Sequence, residues 1–174
     1  MSFSAHSRLW IDTDALRANW RRLAQLNPAS ATGAAVKADA YGMGLEAAAS
    51  ALALEGCRHF FVANVEEGVR TRQAVPDSEI FVLSGTIGEA YATFGRFGLT
   101  PVLNSLREIE NWNLAERRAG QASSCAIQVD TGMNRLGLDV AEAARLCADP
   151  GKRPVGLNLL MSHLACADHP QNPM

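Results

Sequence analysis

The stretch AAVKADAYGMG, residues 34–44, changes character at a single residue. Ala34, Ala35 and Val36 read as the end of a short buried strand. Lys37 then closes the apolar run, and Tyr41, Gly42 and Gly44 follow at once. A lysine with no further task belongs on a solvated face, yet this one stands where a strand meets a loop. The same boundary recurs along the chain. Apolar runs occupy RLWID (8–12), GAAVKA (33–38), HFFVAN (59–64), EIFVLS (79–84), LTPVLN (99–104), CAIQVD (125–130) and VGLNLLMSHL (155–164). Several are continuous and not alternating, which suits strands buried on both faces of a parallel sheet.

Helical stretches with readable ends lie between these runs. Thr13 and Asp14 open the first, which carries Leu16, Trp20 and Leu23 on one face and is followed by Pro28. LEAAASALALEG (45–56) stops at Gly56, a C-cap residue. NVEEGVRTRQA, SLREIENWNLAERRAG and DVAEAARLCA begin with Asn64, Ser105 and Asp139, each with a glutamate three residues on. The Ser105 case fits the capping box, and the other two are close relatives of it. IGEAYATFGRFG (87–98) completes the set, weakened by its glycines. The chain therefore reads as repeated βα units of roughly 20 to 30 residues. A doubly wound open sheet and a (β/α)8 barrel both fit this alternation. No G-x-G-x-x-G follows the first strand, which weakens the nucleotide-binding version. The barrel reading meets six barrel-type strands where eight and about 250 residues are usual.

Composition excludes several classes of function. The chain has 174 residues, 48% hydrophobic and 20% charged, with a formal net charge of −2. The lysines and arginines are scattered, so nucleic acid is not an expected partner. No apolar run reaches the roughly 18 residues of a membrane span, and MSFSAHSRLW lacks the build of a signal peptide. A cytoplasmic location is the expectation. Cys57, Cys125, Cys147 and Cys166 form no C-x-x-C pair, and their apolar neighbours mark them as small core residues rather than metal or redox groups. No metal site is expected.

In α/β folds the site lies at the carboxyl ends of the strands. Those ends hold Lys37, Asp39 and Tyr41; then Asn64, Ser84 and Asn104; then Asp130, Thr131, Asn134 and Arg135; and finally Ser162 and His163. A neutral lysine amine condenses with an aldehyde, and enclosure by apolar side chains favours that neutral form. Pyridoxal phosphate is the common aldehyde cofactor, an electron sink for carbanions. Arginine offers a planar fork for a carboxylate.

AVKADAYGMG (35–44), VDTGMNRLG (129–137) and SHLACAD (162–168) together resemble three motifs of the alanine racemase family, in the family's order. The resemblance runs from about residue 8 to the end of the chain. It implies a pyridoxal 5'-phosphate enzyme that interconverts L- and D-alanine and supplies D-alanine for peptidoglycan. By this resemblance Lys37 carries the cofactor and acts as the base on one face of its ring. Tyr41 hydrogen-bonds the cofactor phosphate. Arg135 approaches the substrate carboxylate and the ring hydroxyl, and His163 sits beside the ring. Without the motifs, these four would read as a surface lysine, a loop aromatic, a surface ion pair and a core histidine.

Gln128 departs from the family pattern, in which many members carry a carbamylated lysine at this place. A neutral Gln128–Arg135 contact is expected instead. Asn134 stands where a glycine is common and tolerates positive φ. Asp168 is expected to cap or orient a loop. His59 reads as structural, while His6 and His169 read as solvated.

The resemblance further implies an incomplete (β/α)8 barrel over residues 13–174, preceded at residues 1–12 by a strand that pairs with a later β domain. That domain would supply a catalytic tyrosine to the partner subunit of a homodimer. The chain is expected to be the N-terminal part of a longer enzyme and inactive alone. Two other readings compete with the racemase: an amino-acid decarboxylase of the same barrel class, and a single-barrel pyridoxal-phosphate carrier.

Overall fold

Six parallel strands stand side by side in chain order, β1-β2-β3-β4-β5-β6. They are β1 Ala34–Ala35, β2 His59–Val62, β3 Glu79–Val82, β4 Thr100–Leu103, β5 Cys125–Val129 and β6 Leu157–Ser162. The helices are α1 Thr13–Leu26, the single turn α2 Lys37–Tyr41, α3 Leu45–Glu55, α4 Val65–Ala74, α5 Tyr91–Phe97, α6 Leu106–Ala119 and α7 Val140–Ala148. This computed structural model describes residues 8–86, 91–120, 123–169 and 171–172. His6 and residues 87–90 of the fifth expected helix lie outside them. The architecture is an incomplete (β/α)8 barrel, as expected.

Period-2 alternation divides the sheet into two faces. Phe60, Val62, Ile80, Val82, Leu103 and Ile127 join the main core, together with Phe94 and Trp112 of the helices. Phe61, Phe81, Val102 and Ala126 form a smaller inner cluster with Leu159 and Met161. Phe61 and Phe81 stack there, with ring centroids 4.9 Å apart. Trp112 anchors the outer layer: it is fully buried, meets Phe94 edge-on, and donates its indole N–H to Val155 O at 2.9 Å. Truncating such a residue to alanine typically costs about 3–5 kcal/mol.

The caps show how sequence placed the helices. Asn64, Ser105 and Asp139 each accept the N–H of the glutamate three residues on. The full capping box forms at Asp139–Glu142, not at Ser105, where it was expected. Glu67 and Glu108 reach one residue further back instead, to Ala63 N at 2.8 Å and Asn104 N at 3.0 Å. Each thereby ties its helix to the last residues of the preceding strand.

RLWID (8–12) pairs with no strand among the described residues, its expected partner lying in a later β domain; Leu9 and Trp10 are exposed. One further expectation needs correction. Of the four cysteines, Cys57 and Cys125 are core residues, but Cys147 is exposed and Cys166 half-buried. Burial pushes the Cys57 thiol up, and the Cys125 thiol to about 12, so neither is reactive. No described helix is long and apolar enough to cross a membrane.

Candidate active site

Lys37 opens a turn of unusual hand. Val36 N still donates to Phe61 O at 2.9 Å, so the strand pairing ends immediately before the lysine. Ala38, Asp39, Ala40 and Tyr41 then take φ values of 53°, 53°, 52° and 56°. Four consecutive non-glycine residues therefore wind left-handed, a conformation that costs roughly 1–2 kcal/mol per residue. Gly42 and Gly44 continue at positive φ without a side chain to strain. Backbone bonds close the turn, from Ala40 N to Val36 O at 2.9 Å and from Gly44 N to Asp39 O at 3.0 Å. Side chains brace it from outside. Asp39 Oδ1 accepts Leu45 N at 3.1 Å and Arg70 at 2.9 Å, while Glu67 Oε1 accepts Asp39 N at 3.3 Å. Arg70 also grips Glu46 at 2.7 and 2.9 Å. Hydrogen bonds from Arg70 hold the Glu46 carboxyl below its usual range.

Arg135 is carried by a different device at the end of β5. Asp130 Oδ1 accepts Gly132 N at 2.9 Å and Asn134 N at 3.1 Å. These backbone donors, Gly132 first and then Asn134, hold the Asp130 carboxyl below the ordinary carboxylate range. Asn134 takes φ 55°, as its residue type allows. Gly137 then returns the chain, and Leu138 pairs back through Leu138 N to Gln128 O at 2.9 Å and Asp130 N to Leu138 O at 2.8 Å. A Cβ at Gly137 would meet Asp130 N at 2.8 Å, and its φ of 114° disfavours any side chain.

These two turns and the end of β6 enclose a cleft of about 220 Å³ at the carboxyl rim of the strands. Lys37, Gln128, Arg135 and His163 line it, with Ala63 and Met161 among the apolar wall. Among the described residues no carboxylate lines this cleft. The side chains of Lys37 and Arg135 have no hydrogen-bond or ion-pair partner among the described residues. Two free cations in a hollow without a counter-charge suit an anionic ligand.

Of the expected site residues, Lys37, Arg135, His163 and Gln128 meet here. Tyr41 does not line the cleft; it sits 62% exposed on the outer end of the left-handed turn. The expected Gln128–Arg135 hydrogen bond is absent. Gln128, buried on the inner face, donates Nε2 to Leu136 O at 2.9 Å. Gln128 thus anchors the backbone beside Arg135 and not its guanidinium. Asp168 makes no side-chain hydrogen bond among the described residues. His59 lies in β2, its Nε2 3.9 Å from Glu79 Oε2 and away from the cleft. Ser84, read as the end of the third strand, also lines the cleft; Ala63, Leu83 and Met161 were not singled out in the sequence, although each stands at or beside a strand end, the place that could have marked them.

Known proteins resemble this chain in sequence and fold. The profile of the alanine racemase N-terminal domain matches residues 11–174. The alanine racemase of Rhizobium meliloti (strain 1021) is 44% identical over 173 residues, which is 98% of this chain and 45% of the relative. That of Methylobacterium nodulans is 46% identical over 168 residues, 96% of this chain and 45% of the relative. The crystal structure of alanine racemase from Bartonella henselae, with covalently bound pyridoxal phosphate, superposes with a TM-score of 0.86 at 36% identity, covering 94% of this chain and 46% of that one. The chain thus spans about half the length of the curated relatives it matches.

Proposed function

The chain belongs to the alanine racemase family, through that family's N-terminal domain, and from that premise we propose that it forms the lysine-bearing half of a pyridoxal-phosphate-dependent racemase interconverting L- and D-alanine. The observation that carries this reading is the meeting of the unpartnered Lys37 and Arg135 side chains with His163 in one cleft that, among the described residues, no carboxylate lines. The residues present fit the cofactor: an amine for its aldehyde, a hollow beside it, and cationic donors for its anionic groups. Lys37 would hold it covalently, His163 would flank it, and Tyr41 would offer its phenol to the phosphate from the outer end of the turn. When bound, the cofactor supplies an electron-withdrawing ring that stabilises negative charge on the substrate α-carbon.

The remaining chemistry belongs to this chain's own groups. Arg135 binds the alanine carboxylate through its guanidinium fork and fixes the α-hydrogen relative to Lys37. Lys37 Nζ takes or returns that proton on its side of the ring. Gln128 keeps the arginine loop in place through Leu136 O. Ala63, Leu83 and Met161 keep water from the reacting centre. Inversion needs a second acid–base group on the opposite face. The family resemblance assigns it to a tyrosine from a partner subunit, so a homodimer is part of the proposal, as are a cytoplasmic location and a role in supplying D-alanine for peptidoglycan. Family membership favours racemisation over decarboxylation or cofactor carriage.

The test uses the full-length protein loaded with pyridoxal phosphate. It should show the visible absorbance of lysine-bound cofactor and wash solvent deuterium into the α-position of L-alanine as D-alanine appears. Lys37→Ala should remove the band and lower turnover by at least roughly 10²–10⁴-fold, the usual worth of a positioned acid–base group. A band that persists in Lys37→Ala sinks the assignment of the lysine, and release of carbon dioxide in place of inversion would favour the decarboxylase.

A further inference from the structure

We propose that Glu67 is a positioning residue for Lys37: its carboxylate bridges the amides of Asp39 and Ala63 and so fixes the turn that carries the lysine. The proposal rests on the reading of Lys37 as the cofactor-bearing base. Glu67 lies in the first turn of α4 and is only 9% exposed. Its Oε1 accepts Asp39 N at 3.3 Å and its Oε2 accepts Ala63 N at 2.8 Å. Asp39 is two residues beyond Lys37, and Ala63 itself lines the cleft. One side chain therefore joins two walls of the same hollow.

The backbone that carries this side chain is itself held in place. Glu67 N donates to Asn64 Oδ1 at 2.9 Å, and Glu67 O accepts the buried Thr71 hydroxyl at 2.8 Å. Among the described residues no cation pairs with the Glu67 carboxylate; Arg70 pairs with Asp39 and Glu46. Helix capping alone does not explain the arrangement. Glu142 serves its own N-cap residue, and Glu108 reaches a residue within its own strand end. Glu67 differs from both by collecting an amide from another βα unit. That amide belongs to a left-handed turn which Ala38, Asp39, Ala40 and Tyr41 do not favour intrinsically. A brace from outside must therefore select the hand of the turn, and with it the direction in which Lys37 leaves the strand. Two N–H groups require two acceptor oxygens, which a carboxylate has and a carboxamide lacks.

Glu67→Gln keeps the volume and sets a donor against one of the amides. In the full-length, cofactor-loaded protein it is expected to speed amide hydrogen exchange at residues 38–44 and at 63 at least tenfold. It should also lower kcat for alanine about tenfold while leaving KM within twofold. Leu146→Ala, a core change on α7 remote from the cleft, should lower thermal stability without altering exchange at 38–44 or kcat. If the glutamine variant does not fold, Glu67→Asp, one methylene shorter, should show the same local rise in exchange. Wild-type exchange at 38–44 in the variant overturns the proposal, as does a rise spread evenly over the barrel like that of Leu146→Ala. Failure of the underlying reading shows separately: borohydride reduction and peptide mapping would then find no cofactor on Lys37 in the wild type.

Discussion

Lys37 and Arg135 enter one cleft from turns that share an ingredient and differ in construction. Each turn is knit by an aspartate that accepts backbone amides, Asp39 from Leu45 and Asp130 from Gly132 and Asn134. Around Arg135, the residues suit their conformation: two glycines and an asparagine occupy positive φ, and the loop closes on its own strand through Leu138. Around Lys37, alanines and a tyrosine hold the same φ region against their preference, and Glu67 and Arg70 brace them from a neighbouring unit. One turn is encoded locally and the other is imposed by its surroundings. Sensitivity to mutation should follow that division, with the local turn failing at its own residues and the imposed turn failing at its braces.

The largest effect on folding should come from closing the local turn's one tight point. Gly137→Ala places a Cβ against backbone at Asp130 and Gln128 and should cost roughly 2–4 kcal/mol, from strain and overpacking together. Urea unfolding measures it, and a cost near zero would mean that the loop is softer than its hydrogen bonds imply. The imposed turn should respond in the opposite direction. Ala38 is exposed at φ 53°, so Ala38→Gly relieves left-handed strain while adding chain entropy to the unfolded state. The net should be a gain of about 0.5–1 kcal/mol in stability. A loss instead would show that the braces have already removed the strain, and the contrast between the turns would blur. The smallest effect concerns acid. Asp130 is half-buried and its folded pKa lies below the ordinary 3.8. Its contribution is therefore present above that ordinary value and fades as pH falls through the folded one. Unfolding midpoints between pH 5 and 3 should decline less steeply in Asp130→Asn than in the wild type.

Six strands and most helix ends could be read from sequence because each follows from local pattern; their order came only with the family resemblance, since the alternation fits a doubly wound sheet as well. Continuous apolar runs gave the strands, and Asn64, Ser105, Asp139 and Gly56 gave the helix ends. The Arg135 loop was readable for the same reason, since Gly137 and Asn134 announce their own conformations. What could not be read depends on partners distant in sequence. Nothing in KADAY signals a left-handed turn, because its hand is selected by Glu67 and Arg70, 28 and 31 residues away. Glu67 itself read as an ordinary capping glutamate. The expected Gln128–Arg135 bond does not form; the Gln128 amide N–H serves Leu136 O, a backbone partner that residue types alone do not announce. RLWID has the composition of a strand, but a strand is a property of two chains segments paired, and composition describes only one.

The order of the strands in space repeats their order in the chain, and this bears on how the protein is made. Each new strand of the sheet finds its hydrogen-bonding edge on the strand synthesised just before it, so none of these six strands has to wait for a distant one. At the usual pace of translation, about 5–20 residues per second, a further βα unit emerges every few seconds, far longer than local docking needs. The polypeptide can therefore assemble stave by stave as it leaves the ribosome. Its clamp around residue 39 would be complete once α4 has appeared, long before the arginine loop exists.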